Sequence, residues 1–343
     1  MDKGFSAGIN KTVAALLKDV ASRNRDIISR RFGLKNSKKE TLESIGQDYG
    51  ITRERVRQIE EFTLKQLSKL AYGSSDVAGF VNWTRNLIDS NGGVMKEKDL
   101  FKTFSGQGSD SSANSSLLFV LSVNGSLVRS PENDESYAFW SSDVQRLNSF
   151  KNEMAVLTKA LEKNGSVVLS DEFDSFAKKN AVDNAETCLS VGKSIGRNIF
   201  GQVGPIFWPE IKPRGVRDKA YLVLKRTNSP KHFGEITRLI NDASFSSKKA
   251  NVQTVHNELI KDSRFVLVGR GMYALSEWGY SAGTVKDVLV DILKKSQKPM
   301  SKASLIAKVK DARMVKENTI LLNLQDSKTF LRKEDGTYTL RKA

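Results

Sequence analysis

The sequence has few of the residues on which disulfide-stabilised, metal-binding and membrane proteins depend. It contains one cysteine, Cys188, so an internal disulfide is excluded and a reducing cytoplasm is the simplest compartment to expect. Its two histidines, His232 and His256, belong to no Cys/His cluster, so we expect no metal site. No apolar run approaches the roughly 20 residues that a membrane-spanning helix needs, and we expect no membrane association.

Three stretches resemble catalytic motifs but have simpler explanations. The sequence VGKS at residues 191–194 resembles the end of a phosphate-binding loop, but Thr187 stands where that loop needs a glycine. The acidic stretch SDEFDSF fits the first turn of a helix. His256 fits a polar or capping position of a helix. We therefore expect no enzyme, no cofactor and no small-molecule substrate.

A surplus of positive charge is the main feature of the composition. The 343 residues include 55 Lys and Arg against 39 Asp and Glu, a formal charge of +16, and 39% of the residues are apolar. This length predicts several domains with packed cores. A folded and basic chain favours a polyanionic partner, with nucleic acid first.

The segment TLESIGQDYGITRERVRQIEE, residues 41–61, has the pattern of two helices around a tight turn. Thr41 and Thr52 are suited to cap the two helices, and Gly50 supplies a left-handed residue between them. Helical periodicity places one apolar stripe on the second helix, at Val56, Ile59, Thr63 and Leu67. The opposite face is polar, at Arg53, Glu54, Arg57, Gln58 and Glu61. Such a face suits either base recognition from the helix N-terminus or an ordinary solvated helix.

Residues 25–70 resemble region four of the major bacterial sigma factors, through RRFGL, TLESIG and ITRERVRQIE in the family's order and spacing. That module reads the −35 promoter element in double-stranded DNA and docks on the flap region of the RNA polymerase core. The resemblance implies base-reading roles for Arg53, Glu54 and Gln58 and backbone or adjacent contacts for Thr52, Arg55 and Arg57. It implies polymerase contacts for Ile28, Arg31 and Phe32. About 24 residues precede the module, too few for the region that melts the −10 element, so we expect that the chain does not start transcription alone.

The remaining chain is periodic. Helical stretches end at Asn91, Asn164, Asn228 and Gln297, and short strands carry an aromatic residue at Tyr137, Phe207, Tyr273 and Tyr338. Both sets recur every 64 to 73 residues, which is typical of a repeated unit. Three helices followed by a hairpin predict a winged helix. We expect a mainly α protein: an N-terminal extension at 1–24, a helix-turn-helix at 25–72 and tandem winged helices at 80–143, 147–213, 216–280 and 284–343.

The third repeat carries a second resemblance. Its segments SPKHFGEITRLIN and TVHNELIKDSRFVLVGRGMYALSEWGY are similar to the HARE helix-turn-helix domain, a winged helix found in the delta subunit of Gram-positive RNA polymerase, in chromatin regulators and beside restriction nucleases.

Charge distinguishes the segments. The formal charge is +5 for residues 22–70, −3 for 80–145, +2 for 146–215, +5 for 216–280 and +7 for 281–343. The last two repeats are expected to bind the DNA backbone, with Lys248, Lys249 and Arg270 as candidates. An acidic first repeat would be repelled by the phosphates of DNA. A role in docking another protein or in spacing the other domains therefore suits it better than DNA binding.

Together these features predict a cytoplasmic, nucleoid-associated transcription factor that binds specific DNA sequences and regulates initiation with RNA polymerase. Two alternatives stay open. The chain could coat DNA as an architectural protein, or serve a restriction system as its DNA-binding accessory subunit.

Overall fold

The computed structural model describes residues 3–108, 111–245, 247–280, 283–313 and 315–341. The protein is mainly α, as the sequence predicted, with small antiparallel sheets. Its internal contacts divide it into two compact units, residues 1–207 and 208–343.

The first unit begins with four helices. These are α1 (Lys3–Leu17), α2 (Ser22–Phe32), α3 (Leu42–Tyr49) and α4 (Arg53–Tyr72). Helices α2, α3 and α4 pack around three completely buried side chains, Ile27, Ile45 and Val56. This small core fixes the angle at which α4 leaves the turn after α3.

The predicted caps and turn of the helix-turn-helix are confirmed. The Thr41 hydroxyl accepts a hydrogen bond from the Ser44 N–H at 3.1 Å, and the Thr52 hydroxyl accepts one from the Arg55 N–H at 3.2 Å. Gly50 adopts the left-handed conformation, with φ of 62°. Each signal acts within four residues along the chain, which is why the sequence alone revealed it.

The rest of the first unit contains two successive sets of elements. The first set is α5 (Ser75–Ser90), β1 (Val94–Lys96), α6 (Glu97–Ser105), α7 (Ser112–Asn124), β2 (Val128–Ser130) and β3 (Phe139–Ser141). The second set is α8 (Val144–Asn164), α9 (Ser170–Lys179), α10 (Ala185–Val191), β4 (Ile195–Arg197) and β5 (Val203–Pro205).

The second unit also contains two sets. The first is α11 (Val216–Thr227), β6 (Lys231–His232), α12 (Phe233–Asp242), α13 (Val252–Lys261), β7 (Phe265–Gly269), β8 (Met272–Leu275) and a 3-10 turn at Ser276–Trp278. The other is α14 (Val285–Ser296), α15 (Lys302–Ala312), α16 (Glu317–Leu324), β9 (Phe330–Arg332) and β10 (Tyr338–Leu340).

All four sets share one topology. A first helix is followed by a short strand or single bridge, two helices and an antiparallel hairpin, and the last strand lies in the middle of each sheet. Thus β3 lies between β1 and β2, and β8 lies between β6 and β7. Where the first strand is reduced to a bridge, Val168 pairs with Val203 and Met300 pairs with Tyr338. The sequence indicated the helices and hairpins but not this additional strand; the domain boundaries stay predictions.

Helix α7 joins the helix-turn-helix to the first repeated set. Nine of its 13 residues are buried, including Leu117, Phe119 and Val120, because α1, α2, α4 and α5 all pack against it. The side-chain amide oxygen of Asn10 on α1 accepts a hydrogen bond from the Ser116 hydroxyl at 2.8 Å, which satisfies a buried polar group. The helix-turn-helix and the first repeat therefore share one core.

We predict opposite effects for two glycine substitutions in helices. A Cβ at Gly46 of α3 would lie 2.7 Å from the backbone oxygen of Ile51, whereas a Cβ at Gly79 of α5 has no atom within 4 Å. Gly46→Ala should lower the free energy of unfolding by about 1 to 3 kcal/mol through overpacking. Gly79→Ala should raise it by about 0.5 to 1 kcal/mol. Chemical denaturation of both variants measures the difference in the free energy of unfolding. Equal stability of the two variants would contradict the close approach of the Ile51 backbone oxygen to Gly46.

Candidate nucleic-acid interface

The N-terminal half of α4 presents a continuous polar surface. The side chains exposed there are Arg53, Glu54, Arg55, Arg57 and Gln58, whereas Val56 between them is completely buried. The polar face predicted from the helical period is therefore confirmed. Arg55, which was not among the residues of that predicted face, is also exposed.

Arg57 links two carboxylates on this surface. Its Nη2 donates to Glu54 Oε1 at 2.8 Å and its Nε to Glu54 Oε2 at 3.0 Å, while Nη1 donates to Glu61 Oε2 at 3.0 Å. The hydrogen bonds from Arg57 lower the pKa of Glu54, so the carboxylate stays ionised and acts only as an acceptor. An acceptor at this position is suited to the amino group of cytosine.

A second pair orients Gln58. The Nη1 of Arg55 donates to Gln58 Oε1 at 3.1 Å. The guanidinium thus occupies the oxygen side of the amide, and the Gln58 side chain also donates a hydrogen bond to Glu54, which helps to lower the pKa of that carboxyl. Both pairs join residues three positions apart, so the same helical spacing that forms the surface also organises it.

The remaining backbone candidates lie in the second unit. Lys248 and Lys249 are exposed in the segment that leads into α13, and Arg270 is exposed in the turn between β7 and β8. All three residues belong to the third repeated set: the two lysines precede its third helix, α13, and Arg270 lies at the tip of its hairpin. Their contact with DNA stays a prediction.

The three candidates for polymerase contact lie on the inner side of α2. Ile28 is completely buried. The Phe32 ring packs edge-on against Phe119 of α7, with ring centroids 5.2 Å apart. Arg31 donates from Nε to Glu60 Oε2 at 2.9 Å. Ile28 and Phe32 thus pack in the core that α2 shares with α7. Helix α7 would have to move before a partner could reach Ile28, whereas Phe32 is partly exposed.

Other sites singled out in the sequence have structural roles. Cys188 is completely buried, and this burial raises the pKa of its thiol to about 12, so the reactive thiolate is suppressed. Lys193 of the VGKS stretch donates to Glu132 Oε1 at 2.6 Å. Across the described ranges, no three His, Cys, Asp or Glu side chains are grouped so that they could hold a metal. The helices of those ranges are too short or too polar to cross a membrane.

Comparison with known proteins supports a sigma-factor relationship for the N-terminal segment. The family model for sigma-70 region 4 matches residues 16–69, so the match begins at the end of α1 and not at residue 25. RNA polymerase sigma factor SigA of Nostoc sp. PCC 7120 is 39% identical over 59 residues, which are 17% of this chain and 15% of that protein. The principal sigma factor HrdD of Streptomyces coelicolor is 45% identical over 49 residues, 14% of this chain and 15% of that protein. The chain thus spans about one seventh of the sigma factors it matches.

We predict that Ile28 acts through stability. Replacing a fully buried Ile by Ala should cost about 2 to 5 kcal/mol of unfolding free energy, because it leaves a cavity between α2 and α7. Phe62→Ala on α4 is the control, since that ring is 58% exposed and its loss should change stability by no more than about 0.5 kcal/mol. Urea denaturation gives both values. Similar small effects would show that Ile28 is not part of the core.

Proposed function

We propose that the protein is a sequence-specific DNA-binding transcription factor that recognises a −35-type element through α4. The observation that carries this proposal is the exposed surface of Arg53, Glu54 and Gln58, held in a defined arrangement within a segment that matches sigma-70 region 4. Sigma factors use DNA and RNA polymerase as partners, and a role in transcription follows from this relationship.

Each side chain has a chemical role in the proposed complex. Arg53 pairs with guanine, Glu54 accepts from the cytosine amino group, and Gln58 donates to the edge of a neighbouring base. Thr52 and Arg55 contact the backbone. Arg57 does so only by exchanging part of its bonding to Glu54 and Glu61 for a phosphate.

The four repeated sets are proposed to be winged helices, and the third to be related to the HARE domain. Their common strand order supports this proposal. In a winged helix the third helix usually enters the major groove, but in the first set that helix is the buried α7. The first set is therefore proposed as a scaffold for α4, and the basic third and fourth sets as backbone contacts through residues such as Lys248, Lys249 and Arg270.

An architectural function is the second candidate. The positive charge of residues 216–343, with +5 and +7 in the two sets, favours binding along DNA without choice of site. The two candidates differ in what they require of Glu54. An architectural protein that coats DNA does not need a hydrogen-bond acceptor directed at a base edge.

We expect Glu54→Ala to relax sequence preference at one base pair. Selection from a randomised duplex library at near-physiological salt should enrich a −35-like hexamer with the unchanged protein, and the variant should lose roughly ten-fold or more of its preference at a single position. Glu61→Gln is the matched control, because it also removes a carboxylate partner of Arg57 but lies about two helical turns beyond Glu54. Its selected motif should be unchanged.

The result also separates the two candidate functions. If neither the unchanged protein nor Glu54→Ala enriches any sequence, and both bind DNA equally tightly, the sequence-specific function is wrong and the architectural one is favoured.

Contact with the RNA polymerase core, including its flap region, is a further part of the proposal. We expect core enzyme to be retained on promoter DNA by the full chain and less by Glu54→Ala, which holds its specific site less tightly. Co-purification with and without the DNA measures this contact. If core enzyme is not retained under either condition, the protein acts on promoters without binding polymerase.

A further inference from the structure

Phe62 is a large apolar side chain on the polar surface of α4. It is 58% exposed, although the same helix buries Val56, Thr63 and Leu67 on its inner side. The two cores that α4 joins include Val56 and Leu67 but not Phe62. Packing inside the protein therefore does not account for an aromatic ring at this position.

The ring lies on the same side of α4 as two of the base-reading candidates. Successive residues of an α-helix are rotated by about 100°, so Phe62 is rotated about 40° from Gln58 and about 80° from Glu54. The rise of about 1.5 Å per residue places Phe62 about 6 Å beyond Gln58 along the helix axis. Glu54, Gln58 and Phe62 thus form one exposed row, with one member on each successive turn.

The length of this row matches the part of a recognition helix that contacts bases. In the known DNA-binding motifs, the base-contacting residues of the recognition helix span about two turns. The row from Glu54 to Phe62 also spans about two turns, and it starts in the first turn of α4. When Glu54 contacts a base edge in the major groove, Phe62 is therefore placed to reach a different base pair in the same groove.

Basic side chains surround the ring on the following turns. Lys65 and Lys69 are exposed, at about 60° and about 20° around the helix from Phe62. Glu61, one turn before Lys65, is paired with Arg57 at 3.0 Å. An apolar group flanked by lysines suits a DNA duplex, where phosphates border the base edges. A second copy of α4 on this face would instead bring like charges together.

We propose that Phe62 contacts the C5 methyl group of a thymine in the major groove. This methyl is an apolar group on the base edges of the major groove, and a phenylalanine ring is one of the side chains suited to contact it. The inference rests on the proposed function, because it requires α4 to lie in the groove. It adds to the hydrogen-bonding residues of α4 a specificity determinant that acts by apolar contact.

Replacement of thymine by deoxyuridine tests the contact, because it removes only the methyl group. Each thymine of the site selected by the unchanged protein is replaced in turn, and binding of the full chain to each duplex is measured at equilibrium. At one position the unchanged protein should bind the deoxyuridine duplex about four-fold more weakly, as expected for one buried methyl group. Phe62→Ala should bind the two duplexes equally at that position, because the ring is gone.

Leu70→Ala is the matched control. Leu70 is also an exposed apolar residue of α4, at 54%, but it lies about two turns beyond Phe62. This variant should keep the four-fold preference for thymine. Phe62→Leu retains an apolar side chain and should keep part of the preference. Urea denaturation of the same samples should show that Phe62→Ala is as stable as the unchanged protein, so that a lost preference is not the result of unfolding.

Three results would overturn the contact in distinguishable ways. If each deoxyuridine replacement has the same effect on Phe62→Ala as on the unchanged protein, the thymine contact is wrong and the sequence-specific function stands. If Phe62→Ala keeps the thymine preference but retains less RNA polymerase core, the ring contacts protein and not DNA. If the unchanged protein selects no sequence, the proposed function fails and the thymine contact fails with it.

Discussion

The burial of α7 is the packing constraint on which the arrangement of the first unit depends. Leu117, Phe119 and Val120 are completely buried, and α1, α2, α4, α5 and α6 all pack against α7. Because protein interiors are close-packed, these contacts hold α4 in a fixed position relative to the first repeat. The same contacts bury Ile28. The burial of Ile28 on α2 is one consequence of a helix that is packed against several others.

Local signals were sufficient to predict the helix-turn-helix. Thr41, Gly50 and Thr52 act on backbone groups within a few residues, so the sequence shows both partners of each interaction at once. The role of α7 depends on contacts that are distant in sequence. The Ser116 hydroxyl is hydrogen-bonded to Asn10, which lies 106 residues away in the sequence. Without knowledge of that partner, the polar residues of the stretch SANSS predict that the start of the helix is exposed. Long-range burial of this kind leaves no period in a single sequence.

The same distinction applies to the candidate site. Exposure of Glu54 and Gln58 follows from helical period, and their pairing with Arg57 and Arg55 follows from a spacing of three residues. The sequence alone does not say which carboxylate Arg57 contacts, because Glu54 and Glu61 are both within reach on the helix. In the structure Arg57 donates to both. The polymerase candidates illustrate the opposite case. Ile28 and Phe32 were assigned by similarity, and only the structure shows that this chain covers them with a helix of its own.

Net charge is a poor guide where oppositely charged groups are arranged asymmetrically. The first repeat carries −3, which predicted repulsion from DNA, yet two of its carboxylates, Glu97 and Glu132, are bound to internal cations. Exposed charges are screened over about 8 to 10 Å at physiological ionic strength, so a phosphate responds to its nearest few groups and not to the sum over a domain. The charges nearest Lys96 are of both signs, with Asp99 and Glu132 opposed by Lys98 and Lys193. The net charge of the repeat therefore does not describe the electrostatic field at any one point of its surface.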